Sequence, residues 1–253
     1  MTRIYVKTLT AMLLLLLILA ACNKNKIKPS LPAAERMKAA EKMFKDEDYL
    51  DAKTEFRIII LNFPGNTVSA KAQYMYAECH FKLKEYIIAA AEYEKLVRVF
   101  PNSEYVDDGQ FKIALCYYKL SPKYSLDQEY TLKAIEEFQK FLEDYPTSEL
   151  KSETNKYMRK CREKLAKKYY VTAESYKKLT YYDAAIIYFD YVLDNYYDTE
   201  FSQQALMGKA DCYFRMGNNE EAVKYYKIFL DKYPKASRAN KVKAELDKIL
   251  KEG

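Results

Sequence analysis

From about residue 33 onward, apolar residues recur at spacings of three and four with charged residues between them, the pattern of amphipathic helices and not of alternating strands. Runs ending in ILNFP, VRVFP, LEDYP, LDNYY and LDKYP close successive segments at Pro64, Pro101, Pro146, Tyr197 and Pro234. Twelve residues before each end stands an alanine: Ala52, Ala89, Ala134, Ala185 and Ala222. Eight before stands an aromatic (Phe56, Tyr93, Phe138, Phe189, Tyr226), and one before another (Phe63, Phe100, Tyr145, Tyr196, Tyr233). The preceding stretch has its own columns, Ala40, Ala77, Ala114, Ala173 and Ala210, each followed three residues on by Met43, His80, Tyr117, Tyr176 and Tyr213. A small residue lets two helices approach and a large one a turn later fills the neighbouring groove, so each unit is predicted to be an antiparallel helix pair.

Steps between the first-column alanines are 37, 37, 59 and 37 residues. Small-then-aromatic in the first helix, alanine-then-aromatic in the second and a closing proline resemble the tetratricopeptide repeat, here about three residues longer than the usual 34. The predicted fold is all-α, a tetratricopeptide-repeat α-solenoid of about five helix pairs (units about 33–66, 67–103, 104–147, 148–198 and 199–235) with a C-terminal capping helix at 236–253. The long step divides into an eight-residue insertion at Ser121–Gln128, inside unit three, and fourteen further residues that read as one long helix before unit four. Val242, Leu246 and either Ile249 or Leu250 define the apolar face of the cap.

Composition sharpens this picture at a few points. With 26 Tyr and 12 Phe against 5 Gly and 7 Pro, the chain lacks the turn residues of a many-stranded fold. Its one His removes two-His metal motifs and most imidazole chemistry, and His80 falls in the packing column. No catalytic residue, metal site or cofactor is expected. The net charge of +6 is spread over 42 basic and 36 acidic residues, too mixed to point to nucleic acid. Cys79, Cys116 and Cys212 share one repeat column and are expected as buried thiols; Cys161 lies outside it.

The N-terminus has Arg3 and Lys7 ahead of an apolar run from Ala11 to Ala21, too short to cross a bilayer and suited to a signal peptide over 1–21. Leu19-Ala20-Ala21-Cys22 resembles the lipobox of bacterial lipoproteins, which implies acylation of Cys22; a plain signal peptide followed by an incidental cysteine is the other reading. Asn23 after the cysteine and the basic NKNKIK favour, by the same resemblance, the periplasmic leaflet of the outer membrane. Residues 22–32 form a polar tether.

Tetratricopeptide repeats bind peptides through first-helix residues. The positions three before and four after the small alanine place Tyr74, Phe111, Phe44, Phe81 and Tyr118 on that face in units one to three, with Tyr170 and Phe214 in units four and five. Beside them runs a basic column, Lys45, Lys82, Lys119, Lys178 and Arg215. Aromatics next to fixed cations suit an extended peptide carrying aromatic side chains and a carboxylate. Glu41, Glu78, Glu174 and Asp211 stand four residues before four of those cations, so intrahelical ion pairs are the competing explanation.

A lipoprotein of this length, with lengthened repeats, an enlarged turn in unit three and a long helix before unit four, resembles the BamD family of the outer-membrane β-barrel assembly machinery. The resemblance implies a non-enzymatic protein that binds incoming outer-membrane proteins in a groove lined by Phe44, Lys45, Tyr74, Phe81, Lys82, Phe111, Tyr118 and Lys119. Tyr170, Lys178, Phe214 and Arg215 would dock the POTRA-domain barrel subunit. The alternative is a periplasmic tetratricopeptide-repeat adaptor coordinating envelope constriction or peptidoglycan synthesis.

Overall fold

A computed structural model describes residues 31–252 of the chain. The signal-peptide, lipidation and most of the tether expectations, Cys22 included, lie outside the described residues. Eleven helices and no strand are present among the described residues. They are α1 (Ala33–Lys45), α2 (Tyr49–Asn62), α3 (Ser69–Lys82), α4 (Tyr86–Val99), α5 (Val106–Leu120), α6 (Glu129–Asp144), α7 (Lys151–Lys178), α8 (Tyr182–Asn195), α9 (Glu200–Arg215), α10 (Asn219–Lys232) and α11 (Ala239–Glu252). No described helix is long and apolar enough to cross a membrane.

Two compact units share the chain, the first ending at Cys79 and the second running from His80, so that α3 belongs to both. In the first, Met37 and Ala40 of α1 pack with Ala52, Phe56 and Ile59 of α2 and with Ala72 and Cys79 of α3. In the second, one cluster joins Phe111, Ala114, Phe138, Phe141 and Cys161, and another Leu165, Ala173, Ala185, Phe189, Val192 and Cys212. A third joins Leu206, Ala210, Ala222, Tyr226 and Phe229 to the capping helix through Val242, Leu246 and Ile249, while Leu250 stays exposed.

Both alanine columns are fully buried at every repeat, as are the aromatics eight residues before each unit's end. Lacking a bulky side chain, the alanines let paired helices touch, and the aromatic rings beside them bury large apolar surfaces. The aromatics at the unit ends close the second helices: Phe63, Phe100, Tyr145, Tyr196 and Tyr233 are all C-caps with φ between −125° and −132°, each N–H donating to the carbonyl four residues back. Extended φ is what a following proline imposes. Tyr196 keeps this conformation before Tyr197, so the cap itself and not the proline ends the helix.

Four of the five intra-pair turns are one motif. The N–H groups of Glu47 and Asp48 donate to the carbonyls of Phe44 (3.1 Å) and Met43 (2.9 Å), and the pattern recurs at Lys84 and Glu85, Thr180 and Tyr181, and Gly217 and Asn218. This pair of hydrogen bonds to the last helical turn requires a left-handed residue, normally glycine. Glu47, Lys84, Thr180 and Gly217 have φ of 64°, 62°, 65° and 78°. Threonine, β-branched, is the costliest of the four there. Thr180→Gly should therefore raise stability by about 1 kcal/mol, seen as a higher urea midpoint at unchanged slope. No gain would mean that the turn tolerates Thr180 without strain.

Unit three departs from the motif. Ser121, the equivalent residue, has φ −61°, and the chain leaves α5 in an extended direction into the 121–128 loop. Gln128 organises that loop from within by donating to the carbonyls of Lys123 (2.8 Å) and Leu126 (3.1 Å).

Candidate functional site

The first helices present the residues singled out above, and their surroundings differ from unit to unit. Phe44 is half-buried and edge-on to Tyr49, the first residue of α2, at 5.1 Å between ring centroids. Phe81 repeats this against Tyr86 at 5.3 Å, and Lys112 Nζ lies 4.9 Å from its ring. Tyr118 is half-buried and edge-on to Tyr157 of α7 at 4.8 Å. Each of these rings is thus fixed by a neighbour while part of it reaches solvent. Tyr74 is also half-buried.

Phe111 departs from the expected groove set. Only 4% exposed, it packs against Phe138, Phe141 and Tyr157 at 6.0 to 6.2 Å, which leaves no ring face for a ligand. Its register equivalent in unit one, Met37, is equally buried, and here Tyr157 of α7 adds to the cover. Tyr170 is likewise engaged, half-buried against Phe189 and Phe201, and burial raises its hydroxyl pKa.

The basic column decides between the two readings left by the sequence. Lys45, Lys82, Lys119 and Lys178 are exposed, and none of them forms an ion pair among the described residues. Acids four residues upstream turn elsewhere: Glu41 pairs with Lys71 (2.5 Å) and Glu174 with Lys177 (2.6 Å). Only Arg215 holds the expected partner, Asp211, at 3.2 Å, and Asp211 also meets Lys177 at 3.4 Å. Intrahelical pairing therefore accounts for one of the five cations, and four first helices carry an uncompensated positive charge. Phe214 and Met216 are exposed beside Arg215.

His80 behaves as the repeat register implies, buried and with its Nδ1 2.5 Å from the Glu85 carboxylate across the turn. In units three to five the same column holds tyrosines stacked on a second-helix tyrosine: Tyr117 on Tyr130, Tyr176 on Tyr188 and Tyr213 on Tyr225. Cys79, Cys116, Cys161 and Cys212 are buried and none is in a disulfide. Burial pushes the Cys79, Cys161 and Cys212 thiols up to about 12, which keeps them protonated and unreactive.

One arrangement has no counterpart in the sequence reading, which treats the two insertions as separate. Lys164 Nζ of α7 donates to Ser121 Oγ (2.5 Å), Lys168 Nζ to the Leu126 carbonyl (2.9 Å), and Lys167 Nζ stands 4.8 Å from the Tyr124 ring. Burial lowers the Lys164 pKa, in keeping with an ammonium enclosed by the loop. The enlarged turn and the lengthened helix are one structural feature. A lysine-rich run following an insertion is the only signal that could have suggested it.

Comparison with known structures agrees with the fold. The chain resembles the TPR2AB domain of yeast Sti1 in its pHSP90 complex at 15% identity, over 87% of this chain and 84% of that one, with a TM-score of 0.50. A thermophilic TPR protein of Thermus thermophilus matches at 16% identity over 87% of this chain and 99% of its own, TM-score 0.37. A tetratricopeptide repeat protein of Parabacteroides merdae matches at 15% identity over 86% and 73%, TM-score 0.38. No curated protein sequence is similar enough to be matched to the chain. A family model described as YfiO, outer membrane lipoprotein, matches residues 29–228, most of the chain. Its repeat architecture and this match together show that the chain belongs to the YfiO family of outer membrane lipoproteins, with a tetratricopeptide-type fold suited to protein–protein interaction.

Proposed function

We propose that this lipoprotein acts without chemistry of its own in the β-barrel assembly machinery, at the periplasmic face of the outer membrane with Cys22 acylated. It binds incoming outer-membrane proteins through its earlier repeats and docks on a POTRA-containing barrel subunit through its later ones. The observation that carries the reading is that Lys45, Lys82 and Lys119 are each exposed, form no ion pair among the described residues and stand next in sequence to a partly exposed aromatic, Phe44, Phe81 or Tyr118. An unfolded β-strand ending in an aromatic residue and a carboxylate complements that combination: its ring stacks on the fixed aromatics and its charge meets an ammonium. Tyr74 belongs to the same first-helix set, and Phe111 has no part in it. For the docking role, Lys178, Phe214 and Arg215 are accessible, whereas Tyr170 is half-buried against Phe189 and Phe201.

Titration of a labelled peptide with an aromatic C-terminal residue tests the groove. Lys82→Ala together with Lys119→Ala should weaken binding about tenfold at low salt, and amidating the peptide carboxylate should remove the difference between variant and parent. Equal affinity of variant and parent for the free-acid peptide refutes the site. For the docking role, pull-down from mildly solubilised envelopes through a tag at Gly253 should recover a POTRA-barrel protein, and its absence would overturn the assignment.

A further inference from the structure

Charge in this protein is segregated by helix. Helix α7 has ten basic and three acidic residues, a net +7, whereas the whole chain is +6, so the remaining residues sum to −1. Neighbouring α6 carries Lys133 and Lys140 against five acids, Glu129, Glu136, Glu137, Glu143 and Asp144.

The cations of α7 have two separate uses. Lys164 and Lys168 are spent on the 121–128 loop, and Arg162 forms a bidentate pair with Asp198 while donating to the Asn195 carbonyl (2.8 Å). Lys156, Arg159, Lys160 and Lys167 are exposed and follow one another at helical spacing along one side of α7. Among them only Arg159 has an acid in reach, Glu163 at a loose 3.9 Å. Lys160 lies 5.2 Å from the Tyr157 ring and Lys167 is held over Tyr124, so two of the four are fixed by aromatic faces. The loop that α7 grips carries Leu126 with 57% of its surface exposed.

We propose that this side of α7, with the 121–128 loop, is a docking surface for the anionic headgroups of a phospholipid bilayer. It rests on the family assignment, which keeps every copy of the chain beside a membrane, and it uses other lysines than the peptide-binding face, although the Tyr157 ring touches both Lys160 and Tyr118. Charge complementarity selects the occupant: clustered Lys and Arg, of which only Arg159 has a loose acidic partner, match a phosphate-bearing interface, in which cations meet headgroups and the exposed Leu126 enters the boundary. Such contact would hold the protein against the bilayer and fix its orientation, which attachment at a single acylated residue does not do.

The test uses the acylated lipoprotein reconstituted into vesicles of phosphatidylcholine alone or with phosphatidylglycerol, with lysine reactivity toward a neutral acylating reagent read by mass spectrometry. Reactivity of Lys156, Lys160 and Lys167 should fall roughly fivefold in the anionic vesicles and recover at high salt, whereas Lys45, Lys82 and Lys119 should not change. Equal reactivity of the α7 lysines in both vesicles overturns the proposal, as does protection shared equally by the groove lysines. Protection of α7 by an acidic partner protein in detergent, with none from anionic lipid, overturns it in favour of a protein interface. Failure of the peptide titration leaves this outcome untouched, because the two experiments read different lysines.

Discussion

Gly208→Ala should destabilise the second unit by about 2 to 3 kcal/mol, against the usual gain of up to about 1 kcal/mol for that exchange within a helix. A Cβ at Gly208 would stand 2.3, 2.7 and 2.8 Å from three atoms of the Phe189 ring, inside any permitted contact. Phe189 is the fully buried aromatic of its repeat column, packed also against Tyr170, so it has nowhere to retreat. At Gly109 a Cβ would meet the Leu96 Cδ2 at 3.0 Å, the far end of a flexible side chain, and Gly109→Ala should cost much less. Urea unfolding at matched slopes measures both. Phe189→Leu, which withdraws the offending ring edge, should make Gly208→Ala milder than it is in the parent, a coupling expected only of residues in contact. A Gly208→Ala protein as stable as the parent would mean that α8 and α9 are not packed this closely.

The repeat register is legible in the sequence because its residues are chosen by packing. Ala40 and its equivalents must be small, Phe56 and its equivalents must be large, and burial at both columns is complete in every unit. The left-handed turns are not legible, because Glu47, Lys84, Thr180 and Gly217 fill the same backbone conformation with four residue types and only the last advertises it. Phe111 shows a second limit. Its register equals that of Tyr74, but the added turns of α7 place Tyr157 over it, and which residue covers which cannot be read from spacing within one repeat. Pairing of charges is hidden for a related reason: i,i+4 spacing permits Glu41 to meet Lys45, yet Lys71 of a different helix stands 2.5 Å away. Contacts between elements that are distant in the chain decide these cases, and they concern the candidate binding face more than the fold.

Arg36 and Glu55 carry the second large prediction. In three consecutive units the residue four before the first alanine column is polar, Arg36, Gln73 and Gln110, where an aromatic or aliphatic side chain would be ordinary. Gln110 donates to Glu137 at 2.7 Å, and Arg36 makes the charged version of that bond with Glu55, linking α1 to α2. Both side chains are largely out of water, 3% and 13% exposed. Removing the cation leaves a carboxylate that has lost its hydration without its counter-charge, so Arg36→Met should destabilise the first unit by about 3 kcal/mol or more. Arg36→Met with Glu55→Met removes both charges and should recover most of that loss, because two apolar side chains fill the same space without a desolvation cost. A double variant as unstable as the sum of its parts would show that the two residues act independently and that the buried ion pair does not hold α1 on α2. Because α1 also carries Phe44 and Lys45, the same series read by peptide titration separates the two roles: Arg36→Met should weaken binding by loosening α1, and the double variant should restore it although neither residue belongs to the binding face.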